Sequence, residues 1–179
     1  MKKVILLALL FAGAVNAQEV KEPEYTGEVF LVSDTGFVKL DKHLAGTRTV
    51  ASTGLLLTGV GKVRTQLQVP GCCSTVWVHG EFNLIVKNND NSVDPMSIIQ
   101  VFKLEPKVNW RRAELSSVSA FGGYKDNNLS YVPFNAKKYG VSSYLVSLSN
   151  LEPGEYGVIV LNPNVLNERQ RVVATFGVN

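Results

Sequence analysis

The sequence predicts an all-β domain, an antiparallel sandwich of immunoglobulin-like or related Greek-key type with about eight to ten strands. Three observations predict it. Beyond residue 17 the chain holds 24 Val against 6 Ala, and β-branched side chains lose little freedom on a pleated strand. From Gly27 onward, short apolar-alternating runs recur, broken by Gly, Pro, Asn and Asp as turns require. No stretch carries a convincing 3.6-residue period, an internal repeat or low complexity.

The chain opens on Lys2 and Lys3, followed by an apolar run from Val4 to Val15 and the small-residue spacing Val15-Asn16-Ala17. This is the pattern of a signal peptide, so cleavage is expected after Ala17. The apolar run is too short to cross a bilayer, which takes roughly 20 residues, and no membrane span is expected. The two cysteines, Cys72 and Cys73, lie far from the new N-terminus, so lipid anchoring is not expected. The expected address is the periplasm or the cell exterior. Gln18 to Thr26 reads as a flexible leader, and residues 27–179 as a single sandwich domain. An eight-stranded outer-membrane barrel also suits the chain length, but the unevenly spread aromatics do not form the girdles it needs.

The clearest strand is Lys62 to Val69, where Val63, Thr65, Leu67 and Val69 share one face and Lys62, Arg64, Gln66 and Gln68 the other. Val76 and Val78 alternate with Thr75, Trp77 and His79, and Phe82, Leu84 and Val86 alternate with Asn83 and Lys87; these two runs are expected to form a hairpin around Gly80. Ile98 to Leu104 is apolar on both faces, the mark of a strand covered on both sides. Tyr144, Val146 and Leu148, then Tyr156, Val158 and Val160, then Val172, Ala174, Phe176 and Val178 supply three closing strands. The expected core is Val63, Leu67, Val76, Val78, Phe82, Leu84, Val86, Ile98, Phe102, Tyr144, Val146, Leu148, Tyr156, Val158, Val160 and Phe176.

Leu151 to Tyr156 resembles the tyrosine corner of immunoglobulin-like and fibronectin-type sandwiches, with the Tyr156 hydroxyl placed to bond back over the Pro153-Gly154 turn. Cys72 and Cys73 sit in an evident turn, Pro70 to Ser74. Neighbouring Cα atoms are closer than an ordinary disulfide prefers, so free or buried thiols are expected ahead of a vicinal bridge or a bond to another chain. Asn88 to Pro95 is polar enough to suggest a Ca²⁺ loop, but it lacks the glycine and the closing glutamate of an EF-hand and reads as a solvated connection.

The sequence carries a formal charge of +3, and without residues 1–17 only 16 Lys and Arg face 15 Asp and Glu. That is no nucleic-acid footprint. His43 and His79 fall in no metal-ligand pattern, and no nucleophile elbow or phosphate-cradling loop is present, so neither an enzyme nor a cofactor or metal is expected. Trp110, Arg111 and Arg112, with Tyr124 and Tyr131 downstream, are the candidate ligand-binding residues, because flat rings stack on sugar faces and guanidinium forks reach hydroxyl or acidic groups. Ser117 to Pro133, the longest segment without clear patterning, is where a binding loop is expected.

The Ala17-Gln18 junction, Asp94-Pro95 followed by Ile98 to Leu104 and Arg111-Arg112, the Leu151 to Tyr156 turn and the closing Phe176-Gly177-Val178 resemble exported proteins of Bacteroidetes-type bacteria. The resemblance spans roughly residues 27–179 and implies a β-rich domain with no assigned activity and no functional residue to carry over. The expected function is that of an exported, non-enzymatic envelope or secreted protein that binds a partner protein or serves as a structural accessory. The competing expectation is a glycan-binding module built on Trp110, Arg111, Arg112 and the nearby tyrosines.

Overall fold

The computed structural model describes residues 21–119, 121–161 and 171–179. The expected signal peptide and its cleavage site lie outside the described residues. Strands β1 (Val29–Ser33), β2 (Gly36–Lys39) and β3 (Asp41–Ala51) lead into a short helix α1 (Thr53–Thr58). Then come β4 (Lys62–Pro70), β5 (Trp77–Val78), β6 (Phe82–Lys87), a single helical turn α2 (Pro95–Ile98), β7 (Ile99–Pro106) and β8 (Trp110–Ser119). The chain continues through β9 (Gly123–Lys125), β10 (Asn135–Tyr139), β11 (Ser143–Leu148), β12 (Gly154–Val160) and β13 (Arg171–Val178).

The all-β expectation holds, but the sandwich does not. Strands β12, β7, β8, β4, β3 and β13 follow one another in one sheet, and β12 also pairs with β13, which closes the sheet into a six-stranded barrel. A second sheet, ordered β10-β11-β6-β1-β2, packs on the outside of that barrel. Closure escaped the sequence because a period-2 pattern reports which face of a strand is buried, not which strand its neighbour is.

Two cores result. Inside the barrel lie Ala45, Leu67, Val69, Phe102, Leu104, Ala113, Leu129, Ile159 and Val173. Barrel diameter grows with strand number, so six strands leave little room. Small residues make it: a Cβ added to Gly157 would stand 2.9 Å from Val173 and 3.0 Å from the Phe102 ring. The second core lies between the barrel's outer wall and the five-stranded sheet. There the registers align Val29, Val86 and Tyr144 in one row, Leu31, Leu84 and Val146 in the next, and Phe82 with Leu148 in a third. Phe176 meets Phe82 edge-on and stacks on Tyr156, both at 5.4 Å between ring centres. Strand β7 serves both cores, as its two-sided pattern implies: Ile99 and Val101 face outward, Phe102 and Leu104 inward. Of the expected core residues, Val63, Val76 and Val160 are only partly buried.

Three local expectations change. The runs around Gly80 form no hairpin; β5 joins the barrel sheet beside β13 in parallel, whereas β6 lies in the other sheet between β11 and β1. Cys72 and Cys73 are bonded to each other, with Cα atoms 3.8 Å apart, rather than free. Glu22, in the stretch expected to be a loose leader, is tied down. Its carboxylate accepts from the amides of Val141 and Ser142, the Ser143 hydroxyl at 2.7 Å and the Lys87 ammonium at 2.9 Å. Burial works against its charge, but these donors outweigh that and hold its pKa at about 2. The Tyr156 hydroxyl does bond back to the Glu152 carbonyl at 2.6 Å, so a tyrosine corner also serves a barrel.

Candidate functional site

The two ends of the barrel differ in kind. At one end the starts of β3, β8 and β12 meet the ends of β4, β7 and β13. Alternation along β8 places Arg111 on the same inward side as Ala113, and along β12 places Glu155 with Ile159. Arg111 is fully buried, and its Nη1 lies 3.1 Å from Glu155 Oε2. The turn from Pro70 to Ser74, carrying the Cys72–Cys73 bridge, folds across this end. Arg111 donates from Nε to the Gly71 carbonyl at 3.2 Å and from Nη2 to the Pro70 carbonyl at 3.1 Å. Its Nη1 also reaches the Ser74 hydroxyl at 2.8 Å. Ser74 donates both its amide and its hydroxyl to Glu155, the latter at 2.6 Å.

His43 completes the cluster, with Nε2 3.3 Å from Arg111 Nη2. Burial, and then the Arg111 charge, push its pKa below the ordinary 6.5, against a weaker pull from Asp41. A neutral ring accepting at Nε2 is the form that fits beside a guanidinium. Every donor direction of Arg111 therefore ends on a group of the protein itself, and the cluster acts as a polar plug. Sequence alternation held the signal for Glu155 and Arg111, since each falls on the inward parity of its strand. His43 shares the inward parity of Ala45 on β3, whereas Ser74 carried no such signal, because only the folded turn brings it there.

The five candidate ligand-binding residues do not converge. Trp110 begins β8 opposite Pro70 and is 37% exposed. Arg111 is inside the plug. Arg112, on the outward face with Trp110, is held by a two-pronged pair with Glu105 at 2.7 and 3.0 Å. That pairing, with Lys107 beside it, holds the Glu105 pKa at about 2. Tyr124 lies on β9 opposite Val118, eight residues along β8 from Trp110 and so about 26 Å away. The Tyr131 hydroxyl donates to Asn127, and its backbone bridges to Phe102. A groove of about 500 Å³ beside Arg112 is lined by Lys103, Glu105, Glu114, Asn128 and Ser130 among others, with no aromatic ring in its wall.

The expected binding loop, Ser117 to Pro133, divides in two. Strands β7 and β8 pair only at Glu105–Arg112 and Pro106–Arg111, and then diverge. Residues 128–132 fill the gap, with Asn128 donating to Leu115, Lys103 to Ser130 and Val132 to Val101 at 2.8 to 3.0 Å. This puts Leu129 into the barrel core. The earlier part of the segment belongs to the other end of the barrel.

There β3, β4, β8 and β9 continue past Arg171–Ala45, the last described pair of β13 with β3, as an arm. Pairings Ala51–Val63, Val63–Val118 and Val118–Tyr124 set one apolar row across its four strands. The neighbouring row, on the opposite face, is Val50, Arg64, Ser117 and Lys125. Two turns finish the arm side by side, since Lys62 pairs with Ser119. One is α1, which presents Leu56 and Leu57, 75% and 79% exposed; the other presents Phe121, 90% exposed. Both turns are tied internally. Ser52 caps α1 and accepts from the Lys62 amide at 2.9 Å, Gly59 closes it in the left-handed region, and the Ser119 hydroxyl accepts from the Gly122 amide at 2.9 Å.

Comparison with protein families, curated proteins and solved structures finds no match, so the site is read from its geometry.

Proposed function

We propose that the chain is an exported, non-enzymatic binding protein in which the barrel and its covering sheet are the scaffold and the arm is the working surface. The observation that carries this is the exposure of Leu56, Leu57 and Phe121 at the tips of two adjacent, internally tied turns. Large apolar side chains grouped in water cost stability unless something covers them. The opposite end supports the same reading: the cluster that most resembles a reactive site uses the donors of Arg111 on the protein's own carbonyls, hydroxyl and carboxylate. Export is supported by the Lys2 to Ala17 pattern and by the Cys72–Cys73 bridge, which suits an oxidising compartment.

The test is position-resolved crosslinking in cells that make the protein. A benzophenone amino acid in place of Leu57 or Phe121 should yield adducts, and the same group in place of Trp110 should not. Adducts from position 110 alone, or from none of the three, would overturn the reading.

A further inference from the structure

We infer that the arm docks on an anionic lipid surface, the tips of its two turns entering the bilayer interface while the cations behind them meet the headgroups. This rests on the arm being the working surface. The three most exposed apolar side chains of the arm, Leu56, Leu57 and Phe121, stand at the ends of two turns, whereas a stable protein partner needs roughly 800 Å² of fitted surface on each side. A bilayer interface takes up isolated apolar tips without shape complementarity, and held side chains enter it at lower entropic cost than a loose loop.

Charge supplies the second, independent argument. The arm segments 46–66 and 114–127 hold Arg48, Lys62, Arg64 and Lys125 against Glu114 and Asp126. Register puts Arg64 and Lys125 in one row, with Arg48 two residues from Val50 on the same face. Glu114 pairs with Lys62 at 2.8 Å and Arg64 at 3.3 Å, and Asp126 follows Lys125 in the chain, so the four cations less the two acids leave a surplus of two positive charges on the arm. Cations just behind an apolar tip are the complement of a negative membrane surface.

The experiment is vesicle co-sedimentation of the purified chain starting at Gln18, with phosphatidylcholine vesicles compared with vesicles that also contain phosphatidylglycerol. The expected result is binding to the anionic vesicles only. Leu57→Ser with Phe121→Ser should lower it by at least about tenfold, and Arg48→Gln with Lys125→Gln by about fivefold per cation removed. All four positions are exposed, and an unchanged unfolding midpoint shows that each variant folds. No binding to either vesicle, equal binding to both, or binding unchanged by Leu57→Ser with Phe121→Ser overturns the inference. Crosslinking separates this failure from that of the wider reading. A protein adduct from position 57 without vesicle binding removes the lipid and keeps the working surface, whereas loss of both removes both.

Discussion

Replacing Arg111 with Met tests the plug most directly. The guanidinium is fully buried, and Glu155 beside it is 4% exposed. Removing the cation leaves a buried carboxylate supported only by Ser74, and deprives the carbonyls of Pro70 and Gly71 of their donor. Breaking a buried pair from one side costs about 3–5 kcal/mol, roughly a fifth or more of the stability of an ordinary domain. Replacing both partners, Arg111→Met with Glu155→Leu, removes the orphaned charge, so the double variant should recover at least about 2 kcal/mol relative to the sum of the singles. Urea unfolding at pH 7 measures this through Trp77, whose indole donates to the Ser74 carbonyl at 2.9 Å and reports on the same turn. A loss below about 1 kcal/mol for Arg111→Met, with no coupling to Glu155, would refute the plug.

The same cluster has an acid limit. The His43 pKa is depressed in the folded state, so its contribution is present above 6.5 and is lost as pH falls below that value. Stability of the parent should therefore decline below 6.5. The decline should be shallower in Arg111→Met, where one of the two causes of the depression is gone.

Two further outcomes follow from the packing. Glu22→Gln should cost up to about 3 kcal/mol above pH 4.5, from a pKa of 4.5 lowered to about 2 at 1.36 kcal/mol per unit. Because that pKa too is depressed, the difference between parent and variant should shrink as pH falls from 4.5 toward 2, as read by thermal unfolding across that window. Gly157→Ala should cost about 1–3 kcal/mol in urea unfolding, since the new methyl meets Val173 and Phe102 in a barrel that is already full.

Alternation made the strands legible, and the reason the assembly was less so is physical. Leu84, Val86, Tyr144, Val146, Tyr156 and Phe176 were placed in the core from period-2 runs alone, because each strand really does bury that face. Gly157, Ala45 and Ala113 say nothing in a linear pattern, yet they set the barrel's width around Phe102. The hairpin expected at Gly80 failed for a related reason: a turn residue shows that the chain changes direction, and only packing decides whether it stays in its sheet.

In the sequence Arg111 reads as a cation able to reach a ligand, but the fold gives it a partner of its own in Glu155. A charged residue on the inward parity of a strand is committed to an internal partner when the sheet closes into a barrel too narrow to hold water. The same closure explains the contrast between the ends. Where the turn from Pro70 to Ser74 crosses the barrel, the donors of Arg111 and of Ser74 find partners within the protein. Where β3, β4, β8 and β9 extend past the described pairing of β13, the face that is inward within the barrel continues, on β8 through the register shift opposite Thr65 and Gln66, and among the described residues no strand pairs across from Ala51, Val63, Val118 and Tyr124. One strand pattern thus builds core where a strand stands across from it, as within the barrel, and an exposed face where, among the described residues, none does.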